Sequence, residues 1–404
     1  MLIRSLAFAC LVLPALARQT PAQEPAATAP KAAPTRDEAV ARARELLVSL
    51  QENLDEATGE RREWPYEGVY RERGQIPPGY RVGGTAISAW ALMEAPGYRD
   101  SKEAQAAVAR AVEFLSGALD LKAMESGFNA GYDVRGWGHT YALNLFLRLR
   151  AEKLVPKGRE QVVDTWIKRL VAILQETEIV ETGGWNYSRP RGGKASAPAS
   201  PFMTAPTLLA LFEAQRQGEQ VDPAVVARAL DALENCRTEA GAIPYTTSKS
   251  KDEWPGAIGR SPVTECVLVL AGRGSVDNVR RSLVNFFEHW EWLEKRRKGT
   301  GTHVPPYQIA PYYFFYAHGY AGLAIEFLPE AERDGFRKQL LARLFQVQEP
   351  SGGWNDRVFP RSENYGVIRG KLAQINQVLR RAADGKDVFW VDFGGRFLDD
   401  DGTM

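Results

Sequence analysis

One mark of punctuation recurs along this chain. Gly183-Gly184-Trp185-Asn186 returns as Gly352-Gly353-Trp354-Asn355, and in weakened form as Gly241-Ala242-Ile243-Pro244-Tyr245. Each copy follows an amphipathic run that ends in or near a Gln (Gln175, Gln346, Gln348) or a polar turn. Each precedes, after a loop, a second and more apolar run. Self-similarity on this scale is the signature of a helical repeat protein and restricts the fold more than any composition figure does.

Apolar periodicity sorts the helical runs into two classes. Residues 37–56, 101–118, 158–177, 222–236, 275–295 and 330–348 place apolar side chains at three- and four-residue steps and fill the other face with Arg, Lys and Glu. Such helices are wet on one side. Start signals stand before several of them: Asp37-Glu38, Asp100-Ser101, Asp222-Pro223, Ser275 and Pro329-Glu330,. Between them, residues 85–94, 139–149, 204–214, 262–270 and 311–327 are apolar nearly all round, with their few charges near the ends. Helices of that kind are buried. A sixth run, 365–383, is more charged and fits the buried role poorly. The amphipathic runs begin roughly 50–65 residues apart, room for one helix pair each. An open solenoid needs only one buried stripe per helix. The two-class pattern predicts instead an all-α, (α/α)6 toroid with a buried inner ring and a half-exposed outer ring.

The ends of the chain read differently. Arg4 precedes a short apolar run from Ser5 to Pro14, and Ala15-Leu16-Ala17 supplies a small-x-small cleavage site. This is the pattern of a signal peptide over residues 1–17, and it predicts export to the periplasm or the extracellular space. Residues 18–36 are Pro/Ala-rich and almost free of large apolar side chains, a disordered linker by composition,. The toroid is expected over 37–385 and a tail over 386–404. A net charge of +1 argues against a nucleic-acid partner,. No segment after the leader is long and uncharged enough to be a stable transmembrane segment. Past Cys10 only Cys236 and Cys266 remain, too few for a disulfide framework,. They form one disulfide or two separately buried thiols.

Gln175 with Gly183–Asn186, Gln346/Gln348 with Ser351–Asp356, and weaker Glu63-Trp64-Pro65-Tyr66 resemble the Gln-Trp repeat of the squalene-cyclase and protein-prenyltransferase superfamily. The resemblance implies an α-α toroid in which the Gly pair permits a tight turn and the Trp packs between units with its indole N–H on a carbonyl. It implies little about reaction. The Asp-x-Asp-Asp acid of triterpene cyclases has only Asp399-Asp400-Asp401 as an echo, in the tail and outside the repeats. The zinc set of prenyltransferases has a partial echo in Glu265, Cys266 and His318, with Thr264 where the Asp is expected. Three such ligands would leave an open catalytic position. However, Glu265 and Cys266 are consecutive and point about 100° apart on a helix. A small apolar thiol in a packed inner helix accounts for Cys266 better than a zinc ligand does, and no cofactor is expected.

Two stretches could carry chemistry. Between His303 and Tyr320 the chain holds two His and five Tyr, including Tyr307, Tyr312, Tyr313, Tyr316 and His318. Tyr312, Tyr316 and Tyr320 share a helix face, which serves either as an aromatic core stripe or as the wall of a polar-aromatic pocket. The second stretch, Tyr132-Asp133-Val134-Arg135-Gly136-Trp137-Gly138-His139, reaches the start of an inner run. His139, His318 and Tyr312 are the candidate proton-transfer residues; Tyr132, Arg135, Trp137, His303, Tyr307, Tyr313 and Tyr316 are the candidate ligand contacts. Two functions follow: a binding or scaffold protein whose cavity holds a lipid, glycan or peptide, or an enzyme using the His/Tyr surroundings for lyase-like or terpenoid/prenyl-type chemistry.

Overall fold

The computed structural model describes residues 44–347 apart from 46, 53–58, 67–74, 129–133, 188–197, 249–252, 298 and 300–301. The expected leader and linker, Tyr132, the Gly352–Asn355 repeat, the 365–383 run and Asp399–Asp401 lie outside the described residues. Among the described residues the chain is helical, with β-pairing confined to isolated bridges such as Glu52–Glu63 and Val304–Ile309.

The helices are α1 (Pro78–Glu94), α2 (Lys102–Leu119), α3 (Arg135–Ala151), α4 (Glu160–Glu176), α5 (Pro201–Arg216), α6 (Pro223–Asn235), α7 (Trp254–Ala257), α8 (Ser261–Leu270), α9 (Val276–Glu288), α10 (Trp290–Arg297), α11 (Tyr313–Ile325) and α12 (Glu330–Gln346). Ser101, Asp222 and Ser275 cap α2, α6 and α9 by accepting from Ala104, Ala224 and Asn278 N–H. Each such cap is worth about 1 kcal/mol. Earlier in the chain, Arg44, Glu45 and residues 47–49 are helical too, within the expected 37–56 run.

The apolar helices α1, α3, α5, α8 and α11 pack each against the next in that order, and α2, α4, α6, α9 and α12 pack outside them. Hydrogen bonds cross between non-sequential inner helices. Tyr141 on α3 meets Tyr320 on α11, hydroxyl to hydroxyl, at 3.2 Å. Tyr316 on α11 donates to the Phe202 carbonyl on α5 at 3.1 Å. The second contact has a sequence cause: Pro206 lies inside α5. Lacking an N–H, it leaves the carbonyl four residues back without its helical donor. The inner helices therefore curve round a common axis, and all five contribute side chains to one cavity. That is the toroid.

The repeat mark is a seam between units. Trp185 is buried, donates its indole N–H to Leu174 O at 2.7 Å, and its backbone N–H reaches Thr204 Oγ1 at 3.0 Å. Trp64 repeats both bonds, with Leu47 O at 2.8 Å and Thr85 Oγ1 at 2.9 Å. Gln175 accepts from Asp222 N at 2.6 Å and so joins the end of α4 to the start of α6. Gly183 has φ +71°, and a Cβ there would lie 2.2 Å from Arg228 O, so only glycine makes this turn,.

Two expected boundaries differ. The first inner helix starts at Pro78 rather than near residue 85, because its glycines serve close approach rather than a break. A Cβ on Gly79 would lie 2.5 Å from Val134 O, at the α1–α3 contact. The 275–295 run is two helices, interrupted at His289 (φ −106°, ψ 11°). The interruption turns Trp290 and Leu293 inward, 3% and 1% exposed, against α11.

Candidate functional site

The toroid axis has two ends built from different chemistry. At the N-terminal ends of the inner helices lies an aromatic cluster around His303. Phe202 stands 4.5 Å from Tyr313, 4.7 Å from Tyr316 and 5.6 Å from Tyr245, ring centre to ring centre. Tyr245 lies 4.9 Å from His303. The buried Arg260 donates to Ile243 O and Gly256 O, both at 2.7 Å, and its guanidinium stands 5.5 Å from the Phe202 ring. Trp137, with Tyr66, Tyr80 and Tyr141 at 5.2, 5.9 and 5.1 Å, forms a second group. It joins the first through Tyr141, Tyr320 and Tyr316. Tyr312, Tyr316 and Tyr320 keep partial exposure along this face.

His303 holds φ +52°, an uncommon conformation for a side-chain-bearing residue,. Its Nδ1 faces Gln308 O at 3.3 Å and Tyr313 OH at 3.2 Å, and its Nε2 faces Tyr312 OH at 3.3 Å. A carbonyl only accepts, so Nδ1 carries the proton and Nε2 accepts from the Tyr312 hydroxyl. Burial lowers the His303 pKa, opposed by the Gln308 bond and helped by the Arg260 charge. Burial raises the Tyr316 phenol well above its usual value, with Tyr320 adding to it.

Several expected site residues are elsewhere. His139 is 1% exposed, with Nε2 on Met124 O at 2.9 Å, and burial pushes its pKa down to about 4. His318 is fully buried: Nδ1 donates to Phe314 O at 2.6 Å and Nε2 accepts from the Trp290 indole at 2.9 Å. Burial takes its pKa to about 3. Both rings are buried, and their hydrogen bonds run to Met124, Phe314 and Trp290 rather than to the aromatic cluster around His303. Arg135 is spent on Glu125 O and the Phe128 ring, and Tyr307 packs on Trp292 at 4.7 Å.

The zinc set does not assemble. Glu265 is bidentate with Arg237, both bonds 2.9 Å, Cys266 is fully buried and His318 is engaged as above. Among the described residues no group of three or more His, Cys, Asp or Glu could hold a metal ion. Cys236 and Cys266 are separate free thiols, and burial pushes the Cys236 thiol up to about 12.

The other end of the axis, at the C-termini of the inner helices, is a cup of about 550 Å³. Every described inner helix supplies its wall: Trp90 from α1, Asn144 and Arg148 from α3, Phe212, Glu213 and Arg216 among those of α5, Leu270 from α8, and Leu323 and Phe327 from α11 and its end. Arg216 and Leu270 are its exposed rim, Trp90 its buried wall. Arg216 grips Glu213 through Nε at 2.8 Å and Nη2 at 2.5 Å, and Gln217 adds a third donor. Burial alone would raise the Glu213 pKa, but these bonds together with the Arg216 and Arg148 charges hold it below the usual carboxylate value. Arg148 pairs with the nearly buried Glu94 at 2.7 Å and with Glu152 at 3.1 Å. These residues were not singled out in the sequence. Their only signal there is that the charges of the apolar runs gather at the C-terminal ends.

No protein-family model and no curated protein matches the chain. Among solved structures it is similar to the apo type II terpene cyclase MstE from Scytonema, at 15% identity over 86% of this chain and 99% of that one, with a TM-score of 0.48. A point variant of the same enzyme gives 16% identity, 85% and 97% coverage and a TM-score of 0.49. A possible member of the GH105 family from Klebsiella pneumoniae gives 13%, 88% and 95%, with a TM-score of 0.45. Likeness at this level says nothing of what the chain acts on.

Proposed function

We propose that the protein is a ligand-binding toroid whose cup accepts one amphipathic, lipid-like small molecule. The observation that carries this reading is the convergence of five inner helices on one cavity, walled by Leu209, Phe212, Leu270, Leu323 and Phe327 and rimmed by paired charges. Its size falls in the range that takes drug-sized ligands. Cyclase chemistry is disfavoured, because Glu213 is the carboxylate among the lining residues and its arginine and amide donors keep it ionised rather than acidic. The leader pattern at residues 1–17 supports export, so the ligand would be met in the periplasm or outside the cell. Among the described residues no helix is long and apolar enough to cross a membrane.

Calorimetric titration with dodecanoate and with cholate, two amphiphiles of different shape, tests this reading. One molecule per chain is expected of whichever binds, and Leu209→Trp, which obstructs the cup, should abolish the binding. Absence of saturable binding by both, or its survival in the obstructed variant, removes the reading. A second reading, an enzyme acting at the opposite end, is favoured by one observation: Tyr312 donates to a neutral His303 whose other nitrogen is held by Gln308. Such a pair can move a proton at the Tyr312 oxygen.

A further inference from the structure

The cup is sided. Its charged and amide groups (Asn144, Arg148, Glu213, Gln215 and Arg216) come from two adjacent helices, α3 and α5. The opposite arc, from α8 and α11, supplies only Leu270, Leu323 and Phe327. An apolar tail would leave the first arc unsatisfied, and a sugar polar on all sides would face the second without partners. Each mismatch costs free energy, because a polar group desolvated without a partner loses its bonds to water.

The polar arc is nearly charge-balanced as well. Arg148 is paired with Glu94 and Glu152, and Arg216 with Glu213. Those pairs use Nε and Nη2 of each arginine, leaving each Nη1 group pointing outside its pair. Asn144 spends its Nδ2 on Thr140 O at 3.0 Å, which leaves its Oδ1 as an acceptor. What the arc offers is a row of charge-balanced donors with the Asn144 and Gln215 amide oxygens as acceptors, in place of a single unpaired cation,. A lone anionic headgroup is poorly matched to it; several hydroxyl or carbonyl groups in a row are well matched.

Resting on the binding reading above, we infer that the ligand is a facial amphiphile: a compact molecule with neutral polar groups along one face and hydrocarbon along the other. Three monocarboxylates used as probes separate this from a head-and-tail lipid. Cholate carries its hydroxyls on one face of a rigid frame; 5β-cholanate has the same frame and carboxylate without the hydroxyls; dodecanoate is a flexible tail. On apolar burial alone, 5β-cholanate would bind more tightly than cholate. With the full chain titrated calorimetrically below micellar concentrations, cholate is expected to bind at least about tenfold more tightly than either of the others, the discrimination one or two satisfied buried hydrogen bonds provide. Asn144→Leu should reduce the cholate preference at least about threefold while leaving 5β-cholanate binding in place. Equal or tighter binding of 5β-cholanate or dodecanoate, or a preference unchanged in Asn144→Leu, overturns the facial assignment and leaves the binding reading standing. Failure of all three probes to bind overturns both.

Discussion

The two ends of the inner ring are made by the same helices and have opposite characters. At the N-terminal end, aromatic rings and the repeat turns fill the space, and the polar atoms are spent on one another: Trp185 on Leu174 and Thr204, Tyr316 on Phe202, His303 on Tyr312, Tyr313 and Gln308. At the C-terminal end the helices stop short of filling the axis and leave a sided cup. The difference follows from where long loops return. Each of these turns delivers its Trp or Ile to the next inner helix, whose Thr85, Thr204 or Ser261 hydroxyl receives the backbone N–H. At the other end the bonds between helices run through side chains, as from Gln217 to Leu147 O and from Arg150 to Glu219. One end therefore holds the ring together, and the other is free to hold something else.

This contrast can be broken most decisively at the turns. Gly183→Ala would force a side chain onto φ +71° and against the Arg228 carbonyl. We expect about 3 kcal/mol or more of lost stability in urea denaturation, against less than about 1 kcal/mol for Leu323→Gln in the cup. Comparable losses at the two sites would erase the distinction.

Acid provides the next largest effect. His139 and His318 have folded-state pKa values of about 4 and about 3, below the ordinary 6.5. The unfolded chain takes up these protons first, so their contribution is whole above about pH 6.5 and is lost as pH falls from there towards about 4. The slope is at most about 1.4 kcal/mol per histidine per pH unit. Thermal midpoints should therefore drop between about pH 7 and pH 5; a flat profile would mean these rings are not sealed in the folded protein.

The smallest effect sharpens the second reading. Tyr312→Phe removes one partly exposed hydrogen bond, about 1 kcal/mol or less. It should leave dodecanoate binding in the cup unchanged, because the two lie at opposite ends. If the chain turns over a substrate at His303, the same variant abolishes that turnover while the cup still binds.

Much of the ring was legible in the sequence. The alternation of apolar and amphipathic runs located the described inner and outer helices, and the Gly-Gly-Trp mark located the seams. At the site the reading was uneven. Tyr312, Tyr316 and Tyr320 share a face at four-residue spacing, and the structure puts them along the axis with His303 and Tyr313. His318 lies two residues from Tyr316 and Tyr320, and His139 two residues from Trp137 and Tyr141. On a helix that is about 200° away from the aromatic face. The outward placement of both histidines was thus available in the spacing and was outweighed by their chemistry. The cup was not available at all, since each helix gives it only one to five residues.

What the chain determines by itself is local: hydrophobic period, caps, the positive-φ glycines of the seams, and the proline that frees the Phe202 carbonyl. Each depends on neighbours a few residues apart, so each is written in order along the sequence. What only the tertiary structure decides is which helix ends face one another across the axis. Arg148 and Phe327 line one cup although they are far apart in the chain. Their proximity follows from the accumulated curvature of successive helix pairs, to which every seam contributes and which no single segment encodes.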